Sequence, residues 1–120
     1  MHLLKNNNRK MKKILNDILN IVKSDVEVAA NLDDHNYEEL TKKEIVDFFN
    51  ELYSGISKFI EYYDNNNVES IISSYKKYEG IISELEWCLL DFEDDFRLGA
   101  ISCLYYDFGK KLIEYKKGMV

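Results

Sequence analysis

The sequence predicts an all-α fold, an antiparallel bundle of about four helices. Three observations predict it. The 120 residues contain no proline, so none of them breaks a helix outright. Apolar residues recur at the helical period over most of the chain, and no strand-type alternation of comparable strength appears. The best apolar register also changes once, inside Asp91-Phe92-Glu93-Asp94-Asp95, as a tight turn between antiparallel helices requires.

Residues 1–9, with the run Asn6-Asn7-Asn8, are expected to form a flexible N-terminal extension, leaving 10–120 as a single helical domain. Met11 offers a second plausible start. The first helix is expected from Lys10 to Lys23, with Ile14, Ile18, Ile21 and Val22 on one face and Leu15 and Leu19 beside them. Its continuation through Val26 to Ala30 is ambiguous. The Asp- and Asn-rich stretch Leu32–Tyr37 reads as a loop, and residues 26–40 hold a loop or a short extra helix.

Thr41-Lys42-Lys43-Glu44 has the spacing of a capping box and opens a second helix, Lys42 to about Tyr63. Ile45, Phe48/Phe49, Leu52, Ile56, Phe59 and Tyr63 form its stripe, and Asp64–Asn67 ends it. The third helix starts near Val68 and keeps its stripe to Phe92. The fourth carries Leu98, Ile101, Tyr105, Phe108, Leu112 and Tyr115. Asp94 or Asp95 is the expected N-cap of that helix, with Lys116, Lys117 and Gly118 at its end. One continuous helix over 68–117 is the rival reading, and the register change argues against it. Gly55, Gly80, Gly99 and Gly109 fall inside helices, some of them marking close crossings.

The chain is 46% hydrophobic, enough to build a core, and carries a net charge of −6. From Ile14 onward it holds all 22 Asp and Glu but only 11 Lys and Arg, and Arg9 and Arg97 are the only arginines. That balance argues against direct nucleic-acid binding and against adhesion to an anionic membrane. No apolar run is long enough to span a bilayer. Asn16, Asp17 and Asn20 interrupt the segment after the basic start, so it does not read as an export signal. An amphipathic membrane-surface helix over Lys5–Val22 is an alternative to a core helix with a basic start. Cys88 and Cys103 read as reduced packing residues of a cytoplasmic protein, not as a disulfide framework.

Catalytic equipment is sparse. Asp33, Asp34, His35, Glu38 and Glu39 could surround a divalent metal, but their spacing matches neither an EF-hand nor a zinc pattern. The cluster is expected to be a solvated acidic loop, with no metal or other cofactor. His2 and His35 are the only histidines, and no phosphate-cradling glycine loop is present. No catalytic residues are assigned, and the chain is not expected to be an enzyme.

Binding has more material. Glu44, Asp47 and Glu51 form an acidic row at i, i+3 and i+7, opposite the stripe of the second helix. A second concentration gathers at Glu84, Glu86, Asp91, Glu93, Asp94 and Asp95. Trp87 stands opposite the stripe of the third helix. It is an interface anchor if exposed, and a packing residue if that helix is central. Tyr37, Tyr62 and Tyr106 fall off the stripes and are expected at the surface, whereas Tyr53, Tyr63, Tyr75, Tyr78, Tyr105 and Tyr115 lie on or beside them.

A small, acidic, tyrosine-rich helical chain without catalytic residues resembles the bacterial immunity proteins that neutralise nuclease toxins. The resemblance is one of overall habit along the whole chain and transfers no residue roles. It implies a cytoplasmic protein that covers the nucleic-acid-binding or active site of a basic toxin nuclease domain. The two acidic concentrations would then pair with toxin Lys and Arg, with Trp87 or an exposed tyrosine as anchor. A phage-type nucleic-acid mimic that inhibits a defence nuclease and a self-associating helical adaptor, a homo-oligomer, are the alternatives.

Overall fold

The computed structural model describes residues 2–118, with side chains described from Arg9 onward. Four helices follow one another: α1 (His2–Ala30), α2 (Lys42–Asp64), α3 (Val68–Cys88) and α4 (Leu98–Gly118). Between α1 and α2 lies a minimal strand pair, β1 (Asn36–Tyr37) with β2 (Leu40–Thr41), and a 3-10 turn at Leu90–Phe92 follows α3. α1 packs on α2 and α4, and α3 packs on the same two, so the helices ring one core. Contacts at the two ends fix the up-and-down arrangement, with α2 and α4 parallel to each other and α1 antiparallel to both. Phe49 stacks on Phe96 at one end, while at the other Tyr63 meets Tyr115 edge-on and donates its hydroxyl to Met11 Sδ. The bundle measures 51 × 22 × 20 Å.

α1 is longer than the periodicity suggests. It begins at His2 and continues past Lys23 to Ala30 because Ile18, Val22, Asp25 and Ala29 hold one buried face. The expected extension over 1–9 falls largely on residues whose side chains lie outside those described. The stripe of α1 is committed to the core, since Leu15, Ile18 and Val22 are fully buried. Among the described residues of α1, that stripe therefore faces the bundle and is not presented to a membrane surface.

Residues 31–41 form neither an extra helix nor a plain loop. Antiparallel pairing of Asn36 with Thr41 and Tyr37 with Leu40 closes a two-residue turn in which Glu38 takes φ 56°. A non-glycine residue there carries about 1 kcal/mol of strain or more. Tyr37, expected at the surface, is buried: its hydroxyl donates to the Asp33 carbonyl at 2.6 Å, and its ring meets Phe92 edge-on. Thr41 and Glu44 make the predicted capping box, the Glu44 N–H reaching Thr41 Oγ1 and the Thr41 N–H reaching Glu44 Oε1.

α3 and α4 are separate helices, as the register change requires. The cap of α4 is not Asp94 or Asp95, which lie in the preceding turn. Instead the Asp25 carboxylate of α1, 1% exposed, accepts the Arg97 N–H at 3.1 and 3.3 Å, immediately before Leu98. α1 thus clamps the start of α4 from across the bundle.

Tyr75 and Tyr105 join α3 to α4 reciprocally. Their rings stack at 4.4 Å, and each hydroxyl donates to the other's backbone carbonyl, at 3.1 and 2.7 Å. Burial pushes both hydroxyls above the ordinary tyrosine value, so they stay protonated donors. Gly109 lies under the Tyr75 hydroxyl, and Gly55 under the Tyr78 ring, so a methyl at either position would collide. Gly80 and Gly99 face open space. Gly80→Ala is therefore expected to stabilise the chain by up to about 1 kcal/mol, through helix propensity alone. Gly109→Ala is expected to destabilise it, because the latched Tyr75 has no free path of retreat. Urea unfolding of the two variants checks this; equal shifts in one direction would contradict it.

Candidate functional site

Antiparallel connectivity sorts the charges along the bundle axis. The end formed by residues 23–44 and 84–99 holds 13 of the 22 Asp and Glu and 4 of the 16 Lys and Arg. Residues 9–13, 58–77 and 107–118 form the other half, with 11 Lys and Arg against 5 Asp and Glu. A modest net charge therefore conceals two opposed fields, and the acidic one is concentrated at a single end.

The predicted α2 row is largely spent within the molecule. Glu44 closes the capping box, Asp47 lies 3.9 Å from Lys43, and Glu51 pairs with Lys77 of α3 at 3.0 Å. That last hydrogen bond holds the Lys77 ammonium above the ordinary lysine value. The second concentration differs. Asp91, Glu93, Asp94 and Asp95 are all exposed, and none makes an ion pair among the described residues. Arg97 is the only Lys or Arg between Lys77 and Lys110. Trp87 is 59% exposed, three residues ahead of Leu90 at 55%. Glu84 is half-buried, its Oε1 4.0 Å from Cys88 Sγ.

The hairpin adds to this end. Burial raises the Cys88 thiol above its ordinary value; a backbone hydrogen bond from Glu39 pulls the other way, and the nearby carboxylates Glu84, Glu38 and Glu39 add to the rise, which favours the protonated thiol. Cys103, expected to pack, is exposed, and both cysteines are free. Asp33, His35, Tyr37, Phe92 and Asp95 line a recess of about 380 Å³ beside the turn.

Little here is arranged for bond-making. His35 stacks on Tyr37 at 4.2 Å, and its Nδ1 lies 2.9 Å from the Asn36 carbonyl, to which it donates. Among the described residues, no three His, Cys, Asp or Glu side chains gather as metal ligands would. No helix among the described residues is long and apolar enough to cross a membrane. What this end offers chemically is a dense set of carboxylates beside a large amphipathic ring.

Three features escaped the sequence reading. Asp25 could have been found from its position, since a carboxylate at the spacing of Ile18, Val22 and Ala29 is an anomaly in an apolar stripe. The approach of Glu38 and Glu39 to Cys88 depends on a hairpin that no local signal announced. The exposed Tyr53, Leu90 and Ile113 each directly follow a buried leucine, and Tyr53 lies beside the stripe of α2, so periodicity does not mark them as outward. Comparison with protein-family models, with curated proteins and with solved structures found no match for this chain.

Proposed function

We propose that this chain is a non-catalytic binding protein whose acidic end captures a basic protein. On this reading the partner is a toxin nuclease domain, and the chain covers its nucleic-acid-binding or active site, as an immunity protein does in the cytoplasm. The observation that carries the proposal is the unneutralised turn Asp91–Asp95 beside the exposed Trp87. Neighbouring carboxylates without cations repel one another and cost the isolated fold stability, whereas a cationic partner relieves them. A rigid aromatic at the edge of such a field is the side chain that most often dominates an interface. A nuclease is the favoured class of partner because its cleft must display Lys and Arg to hold phosphates. Opposed fields would also speed the capture that a toxin inhibitor needs.

A nucleic-acid mimic uses the same chemistry but spreads carboxylates along a face at phosphate-like intervals. The engagement of Glu44, Asp47 and Glu51 within the fold favours a compact docking end over an extended imitation of a strand. The test is a tagged pull-down from the native cell and with neighbouring gene products, at low and then moderate salt. Recovery of a stoichiometric basic nuclease that loses activity in the complex is the expected result. A bound nuclease that remains fully active, or a partner without net positive charge, would overturn the reading.

A further inference from the structure

The outer face of α3 and α4 is more apolar than the fold needs. Tyr53, Trp87, Leu90, Tyr106 and Ile113 are the large hydrophobic side chains exposed among the described residues, and all but Tyr53 lie on this face or its rim. Both helices are also markedly less amphipathic than α1 and α2, as expected of helices with apolar residues on both sides. A shallow groove runs between them. At one end Ile72, Tyr106 and Ile113 sit among Lys76, Lys110 and Lys116, with Glu79 the one carboxylate of that lining. Ser83 and Ser102 line its middle. At the other end Leu90 lies among Glu86, Glu93 and Asp94, with Arg97 the one cation of that lining.

Net charge therefore runs from positive to negative along this partly apolar groove. An isologous contact requires a surface complementary to itself, and this groove meets that condition about a two-fold axis through its middle. An antiparallel copy sets the three lysines of each chain against the three carboxylates of the other, twice over. We propose that the α3–α4 face binds a second copy of this chain in an antiparallel two-fold dimer. Helices of 21 residues are about 31 Å long, and two of them side by side offer on the order of 600 Å² per copy, the lower end of specific interfaces. The dimer is thus a reversible one. Its ion pairs lie at the rim, so it weakens as salt rises. The inference goes beyond the proposed partner reading because it concerns the long face of the bundle, but Glu93 and Asp94 belong to both surfaces, so a second copy and a basic partner would compete for that end.

Sedimentation of the purified chain alone, from micromolar to near-millimolar concentration, tests it without any partner. The mass is expected to double with concentration. A chain carrying Lys110→Glu and Lys116→Glu, and another carrying Glu93→Lys and Asp94→Lys, are each expected to stay monomeric. Their equimolar mixture is expected to restore a dimer with one chain of each kind, since one groove then carries a net negative charge and the other a net positive one. All four positions are exposed, and circular dichroism verifies that the variants are folded. A wild-type chain that stays monomeric throughout, variants that dimerise as the wild type does, or a mixture that fails to associate would each overturn the proposal.

Discussion

Phe108→Ala is expected to lower the free energy of unfolding by about 3–5 kcal/mol, a large share of the roughly 5–15 kcal/mol that holds a domain of this size together. The side chain is fully buried, and its ring lies within 5.9–6.3 Å, centre to centre, of Phe59, Tyr63, Tyr75 and Tyr105. It therefore bridges α2, α3 and α4 at once. The surrounding rings cannot close the cavity easily. Tyr75 and Tyr105 are latched to each other, and Tyr63 is held by Met11. Denaturant unfolding followed by circular dichroism gives the value. A loss below about 1.5 kcal/mol would mean that the site collapses freely and that the latch does not hold.

Asp25 is expected to make the chain less stable as pH rises from about 4 to 7. Desolvation by burial raises its carboxyl from 3.8 to about 6, against the opposing pull of the Arg97 N–H and guanidinium. The folded state then binds this proton more tightly than the unfolded state. The stabilisation it brings is present at low pH and is lost as pH climbs through the folded value. Its full size is about 2–3 kcal/mol, superposed on the titration of the other carboxylates. Asp25→Asn keeps an oxygen to accept the Arg97 N–H and carries no charge, so the difference from wild type should shrink below pH 4 and favour the variant at pH 7. Asp25→Ala leaves that N–H without its acceptor and should fall about 1–2 kcal/mol below the Asn variant at every pH. A wild-type minus Asn difference that is flat across pH would contradict this account of the buried carboxyl.

Most of the architecture was legible because its determinants are local. The box Thr41–Glu44, the Asn67 cap that receives the Ser70 N–H, and the register shift after Phe92 each specify an element boundary within a few residues, although α3 itself ends at Cys88, four residues before that shift. Errors arose where distant residues decide. The cap of α4 comes from Asp25, so the acidic turn beside it was credited with a role it does not have. Tyr37 was placed at the surface by its neighbours in sequence, yet the hairpin turns it inward onto Phe92. Cys103 sits in an apolar run that winds round α4, and the run itself does not show which side faces the core. The acidic residues followed the same division. Periodicity put Glu44, Asp47 and Glu51 on one face, but only the packing of α2 on α3 brings Lys77 to Glu51. Trp87 could be placed opposite its stripe from spacing alone, and its exposure follows from α3 having no helix on that side.

The central claim is that a basic protein docks on the acidic end. Trp87 is the only tryptophan in the chain, so its fluorescence reports on that end alone. The decisive measurement is a fluorescence titration of the chain with its captured partner, beside a variant carrying Asp91→Asn, Glu93→Gln, Asp94→Asn and Asp95→Asn. The account predicts a blue shift that saturates at one partner per chain, and an affinity reduced by about 100-fold or more in the variant. Saturable binding with no change in Trp87 emission and equal affinity for both chains would contradict it.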